Sequence, residues 1–309
     1  MVNPNYVFLL SLTIILIGYI IKRLKIITEQ NGKIIARIIL NVTLPALIFL
    51  VINNIDIRIS LVILPFICLG YSAILAFVAF LIFRKRSNEQ KGLILMTVIG
   101  YNIGLFAYPL VEMIWGIEGL AYVIMFDIGN SFVIFGLSYS LGLIFSPKYN
   151  LKQRKFEFKP ILIKLITSIP LLTLIFALSL RLSNVLLPMF VLDLLGILSR
   201  ANMALTLLLL GIYLNFKIER KYWKTILEVI TTRYTFGLIA GITFYFLLPY
   251  DKFFNAAILV AFILPIGMSA IAFASEFEYD EELISMIVNI TSMISFGLMW
   301  LIVIVLGIG

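Results

Sequence analysis

Long apolar runs alternate with short polar loops along the whole chain, and this pattern constrains the fold more than any other feature. About 20 residues in a helix cross a hydrocarbon layer of roughly 30 Å, so an apolar run of about 18 or more is a candidate span. The runs fall at 6–24, 32–53, 60–83, 91–113, 119–146, 160–181, 195–215, 225–248, 253–274 and 282–307. Charged residues make up only 13% of the chain and hydrophobic residues 62%. A soluble domain carries about a quarter charged residues, so this chain has too little polar surface to coat a water-soluble globule. The loops leave no room for a soluble domain.

Charge placement predicts orientation. Nineteen of the 24 Lys and Arg residues fall on one side if the N-terminus is outside. They cluster at Lys22–Arg37, Arg84–Lys91, Lys148–Lys164 and Lys217–Lys224. Arg58, Arg181, Arg200 and Lys252 fall on the other side, and Arg233 lies within a span. This is the positive-inside pattern. The acidic loop from Glu276 to Glu282 also falls inside, but acidic residues contribute little to orientation. The net charge of +8 is therefore a matter of topology and implies no nucleic-acid partner. The first run has no preceding basic residue and no small-residue cleavage site after it, so it is expected to be a retained helix. Both termini are expected outside a plasma membrane.

The chemistry available is narrow. The chain has no His and one Cys, Cys68. That excludes an intrachain disulfide, a Cys/His metal cluster and a His-dependent intramembrane protease. No cofactor is expected, beyond proton or sodium coupling.

The longest polar connection, 148–159, divides the chain into a first half, 1–147, and a second, 160–309, with five spans each. An odd number of spans places homologous halves in opposite orientations. One spacing relates Asn41, Leu44, Leu47 and Asn54 to Asn202, Leu205, Leu208 and Asn215. A spacing two residues longer relates Gly104, Glu118 and Leu120 to Gly267, Glu281 and Leu283. An inverted repeat of this kind is a secondary-transporter signature.

The candidate site follows from the fourth span of each half. Gly100-Tyr-Asn102-Ile-Gly104-Leu-Phe-Ala-Tyr-Pro109 interrupts span 4, and Leu264-Pro265-Ile-Gly267-Met-Ser269 interrupts span 9. Irregular backbone at membrane depth is tolerated only beside protein or a water-filled cavity. If both helices unwind near the midplane, their second halves begin there, and two helix N-termini with free N–H groups form an anion-binding point. The bland alternative is a pair of proline kinks. Asp127 lies about 12 Å into span 5, with Asn130 and Ser131 on the same helical face. It is either a proton- or substrate-handling group or the structural partner of Arg233, at about 13 Å from the inner face. Asn41, Pro45 and Asn202 are expected in helix packing. The polar residues Asn289, Thr291, Ser292 and Ser295 of the last span line a cavity or satisfy backbone. Pro65 and Pro170 are expected to kink their helices.

Several phrases resemble the auxin efflux carrier family in its prokaryotic branch. They are Leu44-Pro45-Ala46-Leu47-Ile48-Phe49, Asn102 with Pro109, Trp115-Gly116, Glu118-Gly119-Leu120, and Tyr279-Asp280-Glu281-Glu282-Leu283. Pro265, Ser269, Ala274 and Glu276 extend the likeness. Ala107 departs from the plant pattern, which has Gly there, and the long central loop of the plant carriers is absent. The resemblance implies an all-α fold of ten transmembrane helices as two inverted five-helix repeats, with broken crossover helices 4 and 9. Spans 1, 2, 6 and 7 would form a scaffold and the others a moving, elevator-like transport bundle. It further implies a homodimer and an organic carboxylate substrate at Asn102, Gly104, Pro109, Asn130, Pro265, Gly267 and Ser269. A carrier is the expected function; a sensor on the same fold, a channel and an intramembrane enzyme are the other classes.

Overall fold

The computed structural model describes residues 3–148, 158–216 and 219–308. The described residues form helices and connecting turns, with no strand. The predicted connection 148–159 lies almost wholly outside them.

In chain order the first half contains α1 (Pro4–Arg23), α2 (Glu29–Ile38), α3 (Leu44–Asn54), α4 (Ile59–Ile82), α5 (Asn88–Val98), α6 (Tyr108–Phe132) and α7 (Tyr139–Ile144). The second contains α8 (Lys159–Ile166), α9 (Ile169–Leu182), α10 (Met189–Tyr213), α11 (Trp223–Leu247), α12 (Lys252–Phe262), α13 (Ser269–Phe277) and α14 (Glu281–Leu306). Side chains in the loops start several of them. Thr28 and Asn31 form a reciprocal capping box on α2, and Ser87, Asp251 and Asp280 each accept a backbone N–H at the start of α5, α12 and α14. Each cap satisfies a donor that the first helical turn leaves free.

Among the described residues, π-helical turns at Ile39–Thr43 and Val133–Ser138 join helices into longer rods, and one at Ile103–Ala107 begins the rod that α6 continues. The turns at Ile39–Thr43 and Ile103–Ala107 each precede a proline, Pro45 and Pro109. A proline in a helix has no N–H and its ring clashes with the carbonyl four residues back. The Leu44 N–H bonds to the Ile39 carbonyl and the Tyr108 N–H to the Ile103 carbonyl, five residues back in each case. That widened turn lets the rod pass through the proline. Pro109 was expected to break span 4; it is instead an early residue of α6. Pro170 stands at the start of α9, just after a bend of 62° from α8.

Among the described residues, six stretches are long and apolar enough to cross a membrane: Pro4–Arg23, Glu29–Asn54, Ile59–Ile82, Ile103–Ile144, Met189–Tyr213 and Glu281–Leu306; the bent pair α8–α9 makes a seventh. Ile103–Ile144 is turned within by Gly116, at φ 63° and ψ −158°, where Trp115-Gly116 was expected to separate two spans. The other apolar runs are the short helices either side of the breaks, and α11, which carries Lys224, Glu228 and Arg233. The protein is an all-helical integral membrane protein.

Packing separates two groups. α1 lies along α10, α3 lies along α9 and α10, and these helices correspond to predicted spans 1, 2, 6 and 7. The pairing of span 1 with 7 and of span 6 with 2 is what two interchanged halves would give. Glycines allow the closest approach. A Cβ on Gly211 would lie 1.9 Å from the Ile15 carbonyl oxygen, and one on Gly18 would lie 2.2 Å from that of Leu208. Thr43 donates to the Asn202 side chain at 2.9 Å between these helices. Asn202 thus packs as expected, but Asn41 is exposed and Thr43 takes its place.

The second group is built on α5 and α12, whose residues Gly92–Val98 and Phe254–Phe262 are all buried. A helix apolar on every side belongs in an interior. α4, α7 and α11 pack on α5, α6 and α11 pack on α12, and α14 lies outside them against α11 and α13. Exposed Phe66 and Phe77 on α4, and Leu301 and Val305 on α14, give these outer helices the apolar face that lipid requires.

Candidate functional site

Both interior helices stop near one another. α5 ends at Val98, and the chain leaves the helix through extended Ile99, left-handed Gly100 (φ 80°) and non-helical Asn102 before the turn at Ile103. α12 ends at Phe262, and Ile263–Met268 is non-helical up to Ser269. The two open segments meet where the Asn102 N–H donates to the Pro265 carbonyl at 2.9 Å. The breaks expected in spans 4 and 9 are therefore present and in contact.

Four carbonyls at this junction accept from one side chain. Arg233 of α11 is 1% exposed. Its Nη1 donates to Val98 at 2.6 Å. Its Nη2 donates to Gly100 at 2.9 Å, Leu264 at 2.7 Å and Pro265 at 3.2 Å. Its Nε also donates to Leu264, at 3.1 Å. The Tyr101 ring lies 4.5 Å from the guanidinium carbon. Helix C-termini leave carbonyls unpaired and carry partial negative charge, so a guanidinium with five N–H groups suits the place.

The alternative pairing of Arg233 with Asp127 does not occur. Asp127 accepts from the Tyr108 hydroxyl at 3.0 Å and from Asn130 Nδ2 at 2.9 Å. Asn130, buried at 2% exposure, also holds the Tyr101 backbone. Its Oδ1 accepts the Tyr101 N–H at 2.8 Å and its Nδ2 donates to the Tyr101 carbonyl at 2.9 Å. Asp127, Asn130, Tyr101 and Asn102 thus form one connected path to the crossing.

α14 serves the second break. Ser295 donates to the Ile263 carbonyl at 2.6 Å, and Thr291 Oγ1 lies 3.4 Å from the Ile266 nitrogen that donates to it. Of the two roles open for the polar residues of the last span, these two satisfy backbone. Asn289 also satisfies backbone, accepting from the Asn215 N–H at 3.0 Å just beyond the end of α10.

The remaining candidate residues spread around this junction. Ser269 opens α13, and a Cβ on Gly267 would approach the Tyr101 carbonyl at 3.4 Å. Gly104 sits in the π-turn facing Leu44 of α3, across to the first group. Pro109 lies further along α6. Asn102 is 5% exposed, at the cap position of the helical rod that begins with Ile103, yet its side chain caps nothing and its Nδ2 has no hydrogen-bond partner. A cavity of about 490 Å³ lies elsewhere, between α4 and α11, lined by residues that include the ion-paired Arg86 and Glu228.

Two features escaped the sequence reading. Arg233 was visible as a lone cation in a span, but its carbonyl partners were not. Glu112, whose Oε2 is buried without a partner in α6, was masked by its place near the end of the predicted span.

An all-helical membrane protein with two broken helices crossing at its interior belongs to the architectures that move solutes. The family model described as membrane transport protein matches residues 7–304, and the chain belongs to that family, the auxin efflux carrier family its motifs resemble. An uncharacterized transporter of Methanocaldococcus jannaschii is 29% identical over 304 residues, covering 94% of this chain and 95% of the relative. An uncharacterized transporter of Methanothermobacter thermautotrophicus is 28% identical over 292 residues, covering 92% of each chain.

Proposed function

We propose that this transporter is a secondary carrier that moves a small organic carboxylate anion through the plasma membrane by alternating access at the crossover. The observation that carries the reading is Asn102. A buried amide donor without a partner is costly, and this one stands where a helical rod begins, beside the start of α13. Asn at such a position ordinarily turns its oxygen onto the helix N–H groups. Here the Asn102 side chain caps none of them, and its buried Nδ2 donor is left for a ligand. A carboxylate supplies the matching acceptors and the negative charge that helix N-termini favour.

In this reading the chain has ten spans in two inverted repeats, 1–147 and 160–309, with both termini outside. Spans 1, 2, 6 and 7 form a scaffold that also makes a homodimer, and the rest move as an elevator-like bundle. The division of packing into two groups supports the two-body description. Asp127 carries a coupling proton. Its connection to Tyr101 through Asn130 supports this, since a change of charge on the carboxyl alters the group that holds the crossing. No catalytic role is assigned.

The test is uptake into proteoliposomes from a panel of labelled carboxylates, with and without a pH gradient. Saturable uptake is expected, lost in Asn102→Ala and uncoupled from the gradient in Asp127→Asn. Binding without flux would replace the carrier with a sensor, and no binding of any panel member would overturn the anion reading.

A further inference from the structure

We propose that Arg233 is the resident cation of the crossover, filling the place between the two helix C-termini where a carrier of this kind would otherwise hold a cation from solution. The inference deepens the transport reading of the same site and rests on it for the flux arm of the test.

The argument begins with the two ends. Each helix C-terminus carries roughly half a negative charge, so the ends of α5 and α12 together present about one. Their carbonyls are buried, and in transporters with broken helices such ends coordinate sodium or a proton. Here Val98, Gly100, Leu264 and Pro265 all accept from Arg233 instead, two from each break. One guanidinium charge matches the pair of ends. Among the described residues no carboxylate lies within ion-pairing distance of Arg233. The carbonyls are therefore its counter-charge.

The residue type matters. A guanidinium has five N–H groups in a fixed planar fork and stays charged at all working pH values. An ammonium has three donors and a single centre, so it cannot reproduce contacts from Nε, Nη1 and Nη2 to four carbonyls. The stem is tethered through α11, whose next residue, Tyr234, donates to the Thr291 carbonyl at 2.8 Å on α14. Arg233 thus fastens both breaks to the helices around them. Because its charge is covalently held, the cycle takes no sodium at this place, and the anion meets the helix N-termini with the neighbouring C-terminal ends already neutralised.

The experiment uses the full chain as wild type, Arg233→Ala and Arg233→Lys. Thermal stability in detergent is measured with millimolar guanidinium, sodium or choline chloride at constant ionic strength. Arg233→Ala is expected to lose stability and regain it with guanidinium but not choline, while the wild type shows no response at these concentrations. Arg233→Lys is expected to fall between the two. Carboxylate uptake by the wild type is expected to be unchanged when choline replaces sodium. A guanidinium response equal in wild type and Arg233→Ala, or wild-type uptake that needs sodium, would overturn the proposal. Should Arg233→Ala not fold, a stability of Arg233→Lys equal to wild type would overturn it and a reduced one supports it. The stability arm needs no substrate, so a carboxylate panel that fails leaves it readable; rescue that fails while uptake succeeds sinks the resident cation alone.

Discussion

Replacing Asn130 with Ala removes the side chain that holds the non-helical backbone of Tyr101. Three hydrogen bonds go, two to the Tyr101 N–H and C=O and one to Asp127. Tyr101 is 1% exposed, so its two main-chain groups are left without water. Each unsatisfied buried group costs about 1–3 kcal/mol, which gives about 2–6 kcal/mol for the pair. The low end applies where water enters the space left by the amide. The loss of the Asp127 contact falls on top of this and is separable by a double-mutant cycle with Asp127→Asn. The cycle should show a coupling of about 0.5–3 kcal/mol, the range for residues sharing a hydrogen-bond network. The measurements are chemical or thermal unfolding in detergent and uptake at saturating carboxylate. Unfolding of Asn130→Ala at wild-type denaturant, together with wild-type uptake, would refute the claim that this amide supports the crossing.

Other consequences concern the frame around the site. Gly211→Ala places a Cβ against the Ile15 carbonyl, a backbone atom that cannot rotate away, so α1 and α10 must separate; a destabilisation of about 1–3 kcal/mol is expected, read as a lower thermal midpoint, and an unchanged midpoint would contradict the close approach. Lys164 of α8 meets Glu276 of α13 at 2.9 Å, and Tyr139 donates to the same carboxylate at 2.5 Å. The pair bridges the two packing groups and is partly exposed, so Lys164→Met should cost at most about 1 kcal/mol and shift the balance of inward and outward forms by up to about fivefold; labelling of single-cysteine reporters on each side would show it, and no shift would remove the bridge from the cycle. Ser295→Ala frees the Ile263 carbonyl and should lower stability by about 1–3 kcal/mol, whereas Ser292→Ala, which loses only a bond to its own helix, should change little.

How far the sequence carries depends on which atoms it makes visible. Apolar length and the placement of Lys and Arg announce membrane helices, since each depends on side-chain identity. The two breaks were legible for the same reason: Gly100 and Pro265 mark departures from helix that few other residues would. The exact extent was not, because Pro109 looks like a helix breaker until the π-turn before it is seen, and that turn is a matter of hydrogen-bond register. Pro45 behaves alike, which suggests a usable rule: a proline at the start of a helix in an apolar run is compatible with an unbroken rod if one turn can widen. Arg233 illustrates the deeper limit. A lone cation in a span sends the reader looking for a carboxylate, and Asp127 was the obvious one. Main-chain carbonyls are in every residue and so distinguish none; only a break exposes several at once. Two breaks and one buried Arg are therefore more economically paired with each other than Arg with a distant acid. That pairing leaves Asp127 to Tyr108 and Asn130, where a change in its charge reaches the crossing through Tyr101 without having to disturb the cation that holds the two helix ends together.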